Sequence, residues 1–396
     1  MINLKIPRLD IETQTFSNFL WNRFCNRYGV ERAKKIVCAL SKPVKNYSIR
    51  TNLVSFSREN LLEKLENFGW KGYEHPILEE MITIKTRGPN SVNYLKNAPR
   101  IMTDKIAAES VFIGSDLFGV GIKRIPKFSE NEKVSLISPK NQIVAIGLTK
   151  RDSKNPKESG IAAENLESFY KVPSLRKLGF IDSGIAFSQS IPAAYVTHLL
   201  DPKPNETIVD LCAAPGGKST SAAILSKNKS RIIAFDRSEK RLLKMKTAVE
   251  SQKLENIELI KANSIEYLKT HSMNADKVIV DPSCSAVGVR PKIYDETTQR
   301  DIANASNYQK PFLWAASKIV RKGGIITYST CTLEPEENEK VIAYAVNELG
   351  LKLSNPEITL GTIGEETNDG LELEYMRRFY PDIHDTPGFF VAKLTK

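Results

Sequence analysis

The sequence predicts an α/β chain whose second half folds as a doubly wound parallel sheet, preceded by an α+β region and a β-rich module. Two observations carry the α/β assignment. From about residue 174, the apolar runs TIVDL, RIIAFD, IELIKA, KVIVD and GGIITYS alternate with amphipathic stretches. The runs are apolar almost throughout, as strands buried on both faces of a parallel sheet are. A third observation sets the division: upstream of 174 that alternation is missing.

In chain order, FSNFLWNRFCNRYG and ERAKKIVCALS have helical apolar spacing, SIRTNLVSF reads as a strand, and SRENLLEKLENFGW opens with a cap-like Ser57 before an amphipathic helix. Residues 1–95 are therefore expected to form a small α+β unit. Residues 96–173 change character: KVSLIS and QIVAIGL sit among glycines, as in SVFIGSDLFGVGI, and the polar stretch TKRDSKNPKESG makes a surface loop. From 174 to 396 the strands alternate with the helices SEKRLLKMKTAVESQ, DIANASNYQKPFLWAASKIV and PEENEKVIAYAVNEL. In sheets of this class ligands sit beyond the C-terminal ends of the strands, where Cys212, Asp236, Asp281, Cys284 and Cys331 all fall.

The chain has 396 residues, 41% hydrophobic and 26% charged, with a formal net charge of +11. Such a charge favours a polyanion, above all nucleic acid. No apolar run approaches the length of a membrane span, and MINLKIPRLDIE lacks the apolar core of a secretory signal, so neither a span nor a leader is expected. Five widely spread cysteines predict a reducing, cytoplasmic setting rather than a disulfide framework. The four histidines are scattered and no CxxC or HxxxH occurs, so no metal site is expected.

TIVDLCAAPGGKST, residues 207–220, reads as strand, glycine-bearing turn and helix start, a form suited to a nucleoside cofactor. GKS invites a phosphate-binding P-loop, but that spacing needs glycine where Cys212 stands. A dinucleotide GxGxxG is also missing. Asp236 ends the next strand, where an acid can bind ribose hydroxyls or, alternatively, cap the following helix.

DLCAAPGGKS, DPSCSAVGVRP and YSTCTLEPEENE, in that order, with the closing RRFYPDIHDTPGFFVAKL, resemble the Sun-type (Nol/Nop/Sun) RNA 5-methylcytosine methyltransferases. RIMTDKIAAESVFIGSDLFGVGI, with VAIGL and GIAAE, resembles a PUA domain, an RNA-binding β-barrel, and this pairing is similar to the Nsun-six-like and archaeal branch. The resemblance implies a class I, Rossmann-like methyltransferase domain using S-adenosylmethionine on RNA, with transfer RNA favoured. It implies that Cys212, Ala213, Ala214, Pro215, Gly216, Gly217 and Lys218 contact the cofactor, with Asp236 on its ribose. Asn263 stands where many members carry an acid near the adenine. Asp281 would face both cofactor and cytosine, Cys331 would be the nucleophile and Cys284 would assist product release. The family form Asp-Ala-Pro-Cys is here Asp281-Pro282-Ser283-Cys284, with the Asp-to-Cys spacing kept.

The chemistry asks for these residue types. Carbon 5 of cytosine is a poor nucleophile until a thiolate adds at carbon 6. An acid at the ring nitrogen and amine, with Lys218 nearby, relieves charge during attack. Cys25 and Cys38 read as small buried hydrophobes. The acids of PEENE read most simply as a favourable first helical turn, and alternatively as a brace for the Cys331 loop. Lys218 alone could be a solvated helix residue and Asp281 a strand-end cap. Ribosomal RNA as substrate, a non-catalytic RNA-binding assembly factor and a P-loop-like ATPase are the competing readings; the last leaves Cys331 unexplained. No feature requires a second chain, so a monomer is expected.

Overall fold

The computed structural model describes residues 16–93, 95–154 and 159–396. The N-terminal MINLKIPRLDIE and the centre of the surface loop, residues 155–158, lie outside the described residues. No helix among the described residues is long and apolar enough to cross a membrane.

The second half contains the expected sheet. Its strand order is Ile257–Lys261, Arg231–Asp236, Thr207–Asp210, Ala275–Val280, Val320–Thr330, Phe389–Thr395, Met376–Phe379 and Thr362–Ile363. The first five are parallel and the last three run antiparallel. The chain builds outward from Thr207–Asp210 to one edge, then returns to add Ala275–Val280 on the other side. That reversal opens a crevice between these two neighbours, at the strands' C-terminal ends. Val209, Phe235, Val278, Ile326 and Tyr328 form the core with Phe312 and Leu313 of helix Gln299–Ile319.

Two sequence expectations are corrected upstream. The α+β unit at 1–95 is divided. Helices Asn18–Tyr28 and Val30–Leu40 bury Leu20, Phe24, Ile36 and Val37 against Val287, Leu333 and Tyr380 of the second half. Strands Asn46–Thr51, Met81–Lys85 and Gly72–Glu74 form an antiparallel sheet backed by helix Arg58–Asn67. The boundary at 174 also shifts, because Ala186–Ser188 pairs with Asn46–Thr51, and Leu175 and Phe180 enter that core. The apolar residues around 175–186 thus cover a sheet whose other strands lie between residues 46 and 85, a pairing that local periodicity does not encode.

Between these parts lies a six-stranded sheet ordered Leu117–Phe118, Ile161–Ser168, Ile143–Thr149, Lys133–Ile137, Arg100–Thr103, Ile122–Arg124. SVF, read with the β-rich segments, instead ends helix Lys105–Phe112, which Asp104 caps. Ile293, from the loop beyond Cys284, enters the core of this module, and its N–H donates to Glu109 Oε1 at 3.3 Å.

Candidate active site

The strand ends bring the expected residues around one cavity of about 310 Å³, within the range of nucleoside-sized ligands. Cys212, Ala214, Pro215, Asp236, Asn263, Asp281, Cys284 and Cys331 all line it. Ala213, Gly217 and Lys218 line an adjoining cavity that shares Cys212, Ala214, Pro215 and Asp281 with the first.

The loop after Thr207–Asp210 is fixed from several sides. Gly216, at φ 105°, caps helix Gly217–Leu225, and a Cβ there would lie 2.9 Å from Met245 Cγ. Asp210, which sequence reasoning did not single out, is buried beneath the loop. It accepts from Ser219 Oγ at 2.6 Å and from Cys212 N at 3.2 Å. Burial pushes its carboxyl up to about 6. Arg50, also missed, reaches across from the first sheet and is 1% exposed. It donates to the Gly217 carbonyl at 2.6 Å, to Thr220 at 2.7 Å and to Gln189 at 2.7 Å. Burial drags its guanidinium down to about 10, so it stays cationic at neutral pH.

Asp236 accepts from Ser238 N at 2.8 Å and faces Arg241 at 3.3 Å. The helix cap is Ser238, so the capping alternative for Asp236 is set aside. Asn263 caps helix Ser264–Thr270 through Ile265 N at 3.1 Å while lining the cavity. Tyr308 and Phe312, on helix Gln299–Ile319, give one wall aromatic character. Their helical spacing reads in sequence as ordinary core.

At the other end Asp281 is held on both oxygens, by Ser329 Oγ at 2.6 Å and Lys218 Nζ at 2.5 Å. Lys218 is thus no solvated helix residue; its side chain is 12% exposed. The two sulfurs face each other, Cys284 Sγ to Cys331 Sγ 3.3 Å, unbonded. A hydrogen bond from the Cys284 thiol lowers Cys331, with the charges of Lys218 and Lys292 adding to it against burial. The same contact, with burial, holds Cys284 well above the usual thiol range. Of the other cysteines, Cys25 is buried as expected, whereas Cys38 is half-buried with Lys42 Nζ 3.2 Å from its sulfur.

The loop DPSCSAVGVRP is anchored behind these sulfurs by Gly288. Its N–H donates to the Cys331 carbonyl at 3.0 Å and its carbonyl accepts from Gly388 N at 2.8 Å. A Cβ at Gly288 would lie 2.2 Å from the Gly388 carbonyl oxygen. Backbone cannot yield as a side-chain tip does, so Gly288→Ala is expected to cost about 3 kcal/mol, the upper end of small-to-large substitutions. Denaturant unfolding checks this; an unchanged midpoint would contradict the close approach.

The acids of PEENE are the clearest correction of the simplest sequence reading. Only Glu339 lies in the first turn of its helix, Glu339–Asn347, and Glu337 and Glu339, with Glu334 just before the run, are fully buried. Glu334 and Glu336 pair with Arg23, and Glu339 pairs with Arg378. The brace reading therefore holds: Arg27 and Arg378 each donate to the Leu333 carbonyl at 2.8 Å, two residues beyond Cys331.

Residues 197–395 match the family model described as 16S rRNA methyltransferase RsmB/F. The chain is 37% identical over 387 residues to the tRNA (cytosine(72)-C(5))-methyltransferase of Pyrococcus horikoshii, covering 97% of each. It is 27% identical to the mouse tRNA (cytosine(72)-C(5))-methyltransferase NSUN6, covering 98% of this chain and 97% of that one. A crystal structure of NSun6 from Pyrococcus horikoshii with SFG, an S-adenosylmethionine analogue, superposes with a TM-score of 0.85 at 37% identity. That superposition covers 96% of this chain and 98% of the other.

Proposed function

Because the chain belongs to the Sun-type family of RNA (cytosine-5) methyltransferases, which use S-adenosylmethionine, we propose that its substrate is transfer RNA and its target cytosine 72. The observation that carries this choice is end-to-end likeness. The family model, described for 16S rRNA, covers only the catalytic half, whereas the relatives at 37% and 27% identity over 97–98% of this chain are named for cytosine 72 of tRNA; a relative named for rRNA, NOP2C of Arabidopsis thaliana, matches 94% of the chain at only 24% identity. The six-stranded module then serves as the PUA-type RNA-binding domain, positioning the RNA by shape and phosphate contact. The target base must leave its stack to reach the sulfurs.

The cavity fits the cofactor. Gly217 brings backbone without a side chain to the adjoining cavity, Asp236 offers acceptors for ribose hydroxyls, and Tyr308 and Phe312 offer aromatic surface; Gly216 lines neither cavity and acts in the turn. Cys212 to Lys218 would hold it from the loop side, with Asn263 and Asp281 at its edges. Bound there, S-adenosylmethionine supplies an electrophilic methyl group.

The Cys331 thiolate adds to carbon 6 of cytosine, forming a C–S bond and moving an electron pair toward carbon 5. Asp281, fixed by Lys218 and Ser329, accepts from the exocyclic amine and orients the ring. Once carbon 5 is methylated its proton passes to solvent water. The electrons of that C–H bond restore the ring double bond and expel Cys331 as thiolate, with Cys284 placed to assist. All these groups come from one chain, which supports a monomer, and five free cysteines support a reducing, cytoplasmic setting.

The test is transfer of a labelled methyl group to tRNA transcripts and to ribosomal RNA. Incorporation into tRNA is expected, with loss when cytosine 72 is replaced by uracil. Incorporation into ribosomal RNA alone would refute the substrate assignment.

A further inference from the structure

Two facing thiols are chemically equivalent until their surroundings differ, and one side chain makes them differ. We infer that Glu337 selects the nucleophile: its buried carboxylate keeps Cys284 the neutral thiol and leaves the thiolate to Cys331. The inference rests on the catalytic roles proposed above for the two cysteines.

Glu337 is fully buried, and its Oε2 accepts from Ser285 N at 2.9 Å, the residue next to Cys284. The same oxygen accepts from Gln309 Nε2 at 3.0 Å. Gln309 is held in this orientation because its Nε2 also points at the Ser283 carbonyl at 3.3 Å, an acceptor that the amide oxygen could not meet. Burial raises the Glu337 carboxyl above the ordinary carboxylate value, and the two fixed N–H donors that meet one of its oxygens oppose this by favouring the charged form. The other oxygen, Oε1, is buried with no partner among the described residues. A proton there would find no acceptor.

Its neighbours sharpen the point. Glu334, Glu336 and Glu339 each meet an arginine, whereas Glu337 forms no ion pair among the described residues. A buried carboxylate without a counter-ion is costly, and packing alone does not account for it. The charges around the sulfur pair are divided. Cys331 has cations on its side, Lys218 and Lys292, which favour its thiolate against the opposing charge of Asp281, itself paired with Lys218. Glu337, with Glu334 behind it and Tyr328 beneath, stands on the side of Cys284. Negative charge disfavours a thiolate, so the proton shared between the sulfurs rests on Cys284. This leaves Cys284 the thiol at the moment of attack, and Glu337 is a positioning residue that acts through it.

The test reads the thiols directly. The full-length protein without RNA is alkylated with iodoacetamide across a pH series, and the two cysteine peptides are quantified by mass spectrometry. In the wild type, Cys331 is expected to be modified at lower pH than Cys284. Glu337→Gln keeps the size and an acceptor oxygen but removes the charge. The ratio of Cys331 to Cys284 modification at pH 7 is expected to fall about tenfold, equivalent to one unit of thiol ionisation. An unchanged ratio overturns the inference. Glu337→Asp keeps the charge and should keep the ratio; a collapse there also overturns it, even if Glu337→Gln fails to fold. Methyl transfer by Cys331→Ser separates the two levels. Activity there refutes the catalytic assignment itself, whereas inactivity with an unmoved ratio in Glu337→Gln refutes only the role of Glu337.

Discussion

Cys331→Ala is expected to abolish methyl transfer, by at least about 10³-fold, while leaving folding and cofactor binding intact. Cys284→Ala is expected to behave differently: it should form the RNA adduct and fail to release it, leaving a denaturation-resistant protein–RNA band. The asymmetry follows from position. Cys331 ends the strand next to Ala275–Val280, with Lys218 close enough to favour its thiolate. Cys284 lies 3.3 Å away on the neighbouring loop and donates to that thiolate. Removing the first deletes the nucleophile; removing the second deletes only the group placed to help the product leave. Incubation of each variant with S-adenosylmethionine and tRNA, followed by denaturing electrophoresis, checks both outcomes. An adduct in Cys331→Ala instead of Cys284→Ala would reverse the assignment. Truncation at either site removes few atoms beside an open cavity, so a general loss of fold is not expected to confuse the result.

Much of this site was legible because its chemistry lies where the local signals are strongest. Parallel strands buried on both faces read as unbroken apolar runs, and the residues just beyond them were singled out one by one. Asp236, Asp281, Cys284 and Cys331 indeed meet at one cavity. What stayed hidden depends on distant partners. Arg50 reads as a charge in a strand, and its grip on the Gly217 carbonyl requires a helix start 167 residues away. Tyr308 and Phe312 sit at helical spacing and look like core. Gly288 looks like a loop glycine until Gly388 closes against it. PEENE follows the rule for an acidic helix start so well that burial was the less simple reading. Its arginines come from the first helix and from a strand near the C-terminus, and pairing across such separations leaves no trace in local pattern.

That buried charge cluster yields the second large effect, this time on stability. Arg378 and Glu339 are both fully buried, joined through Nε to Oε1 at 2.6 Å and Nη2 to Oε2 at 2.5 Å. Glu339→Gln would strand the guanidinium among neutral groups on that side, an expected cost of about 3–5 kcal/mol. Glu365, which touches Arg27 at 2.6 Å and Arg378 at 3.4 Å, adds a pH dependence. Burial alone would raise its carboxyl, yet the two guanidinia hold it down to about 2. A depressed carboxylate stabilises the fold above its ordinary value of 4.5, and that contribution disappears as pH falls through about 2. With 22% of the side chain exposed, the contribution at neutral pH is discounted to about 2 kcal/mol. The stability gap between wild type and Glu365→Gln should therefore be full at pH 7 and close on acidification, as denaturant titrations at stepped pH would show. A gap independent of pH would mean that Glu365 acts by shape and not by charge. Because Arg27 and Arg378 also hold the Leu333 carbonyl, Glu339→Gln should lower methyl transfer along with stability. Cys331→Ala should separate the two, losing the reaction while keeping the fold.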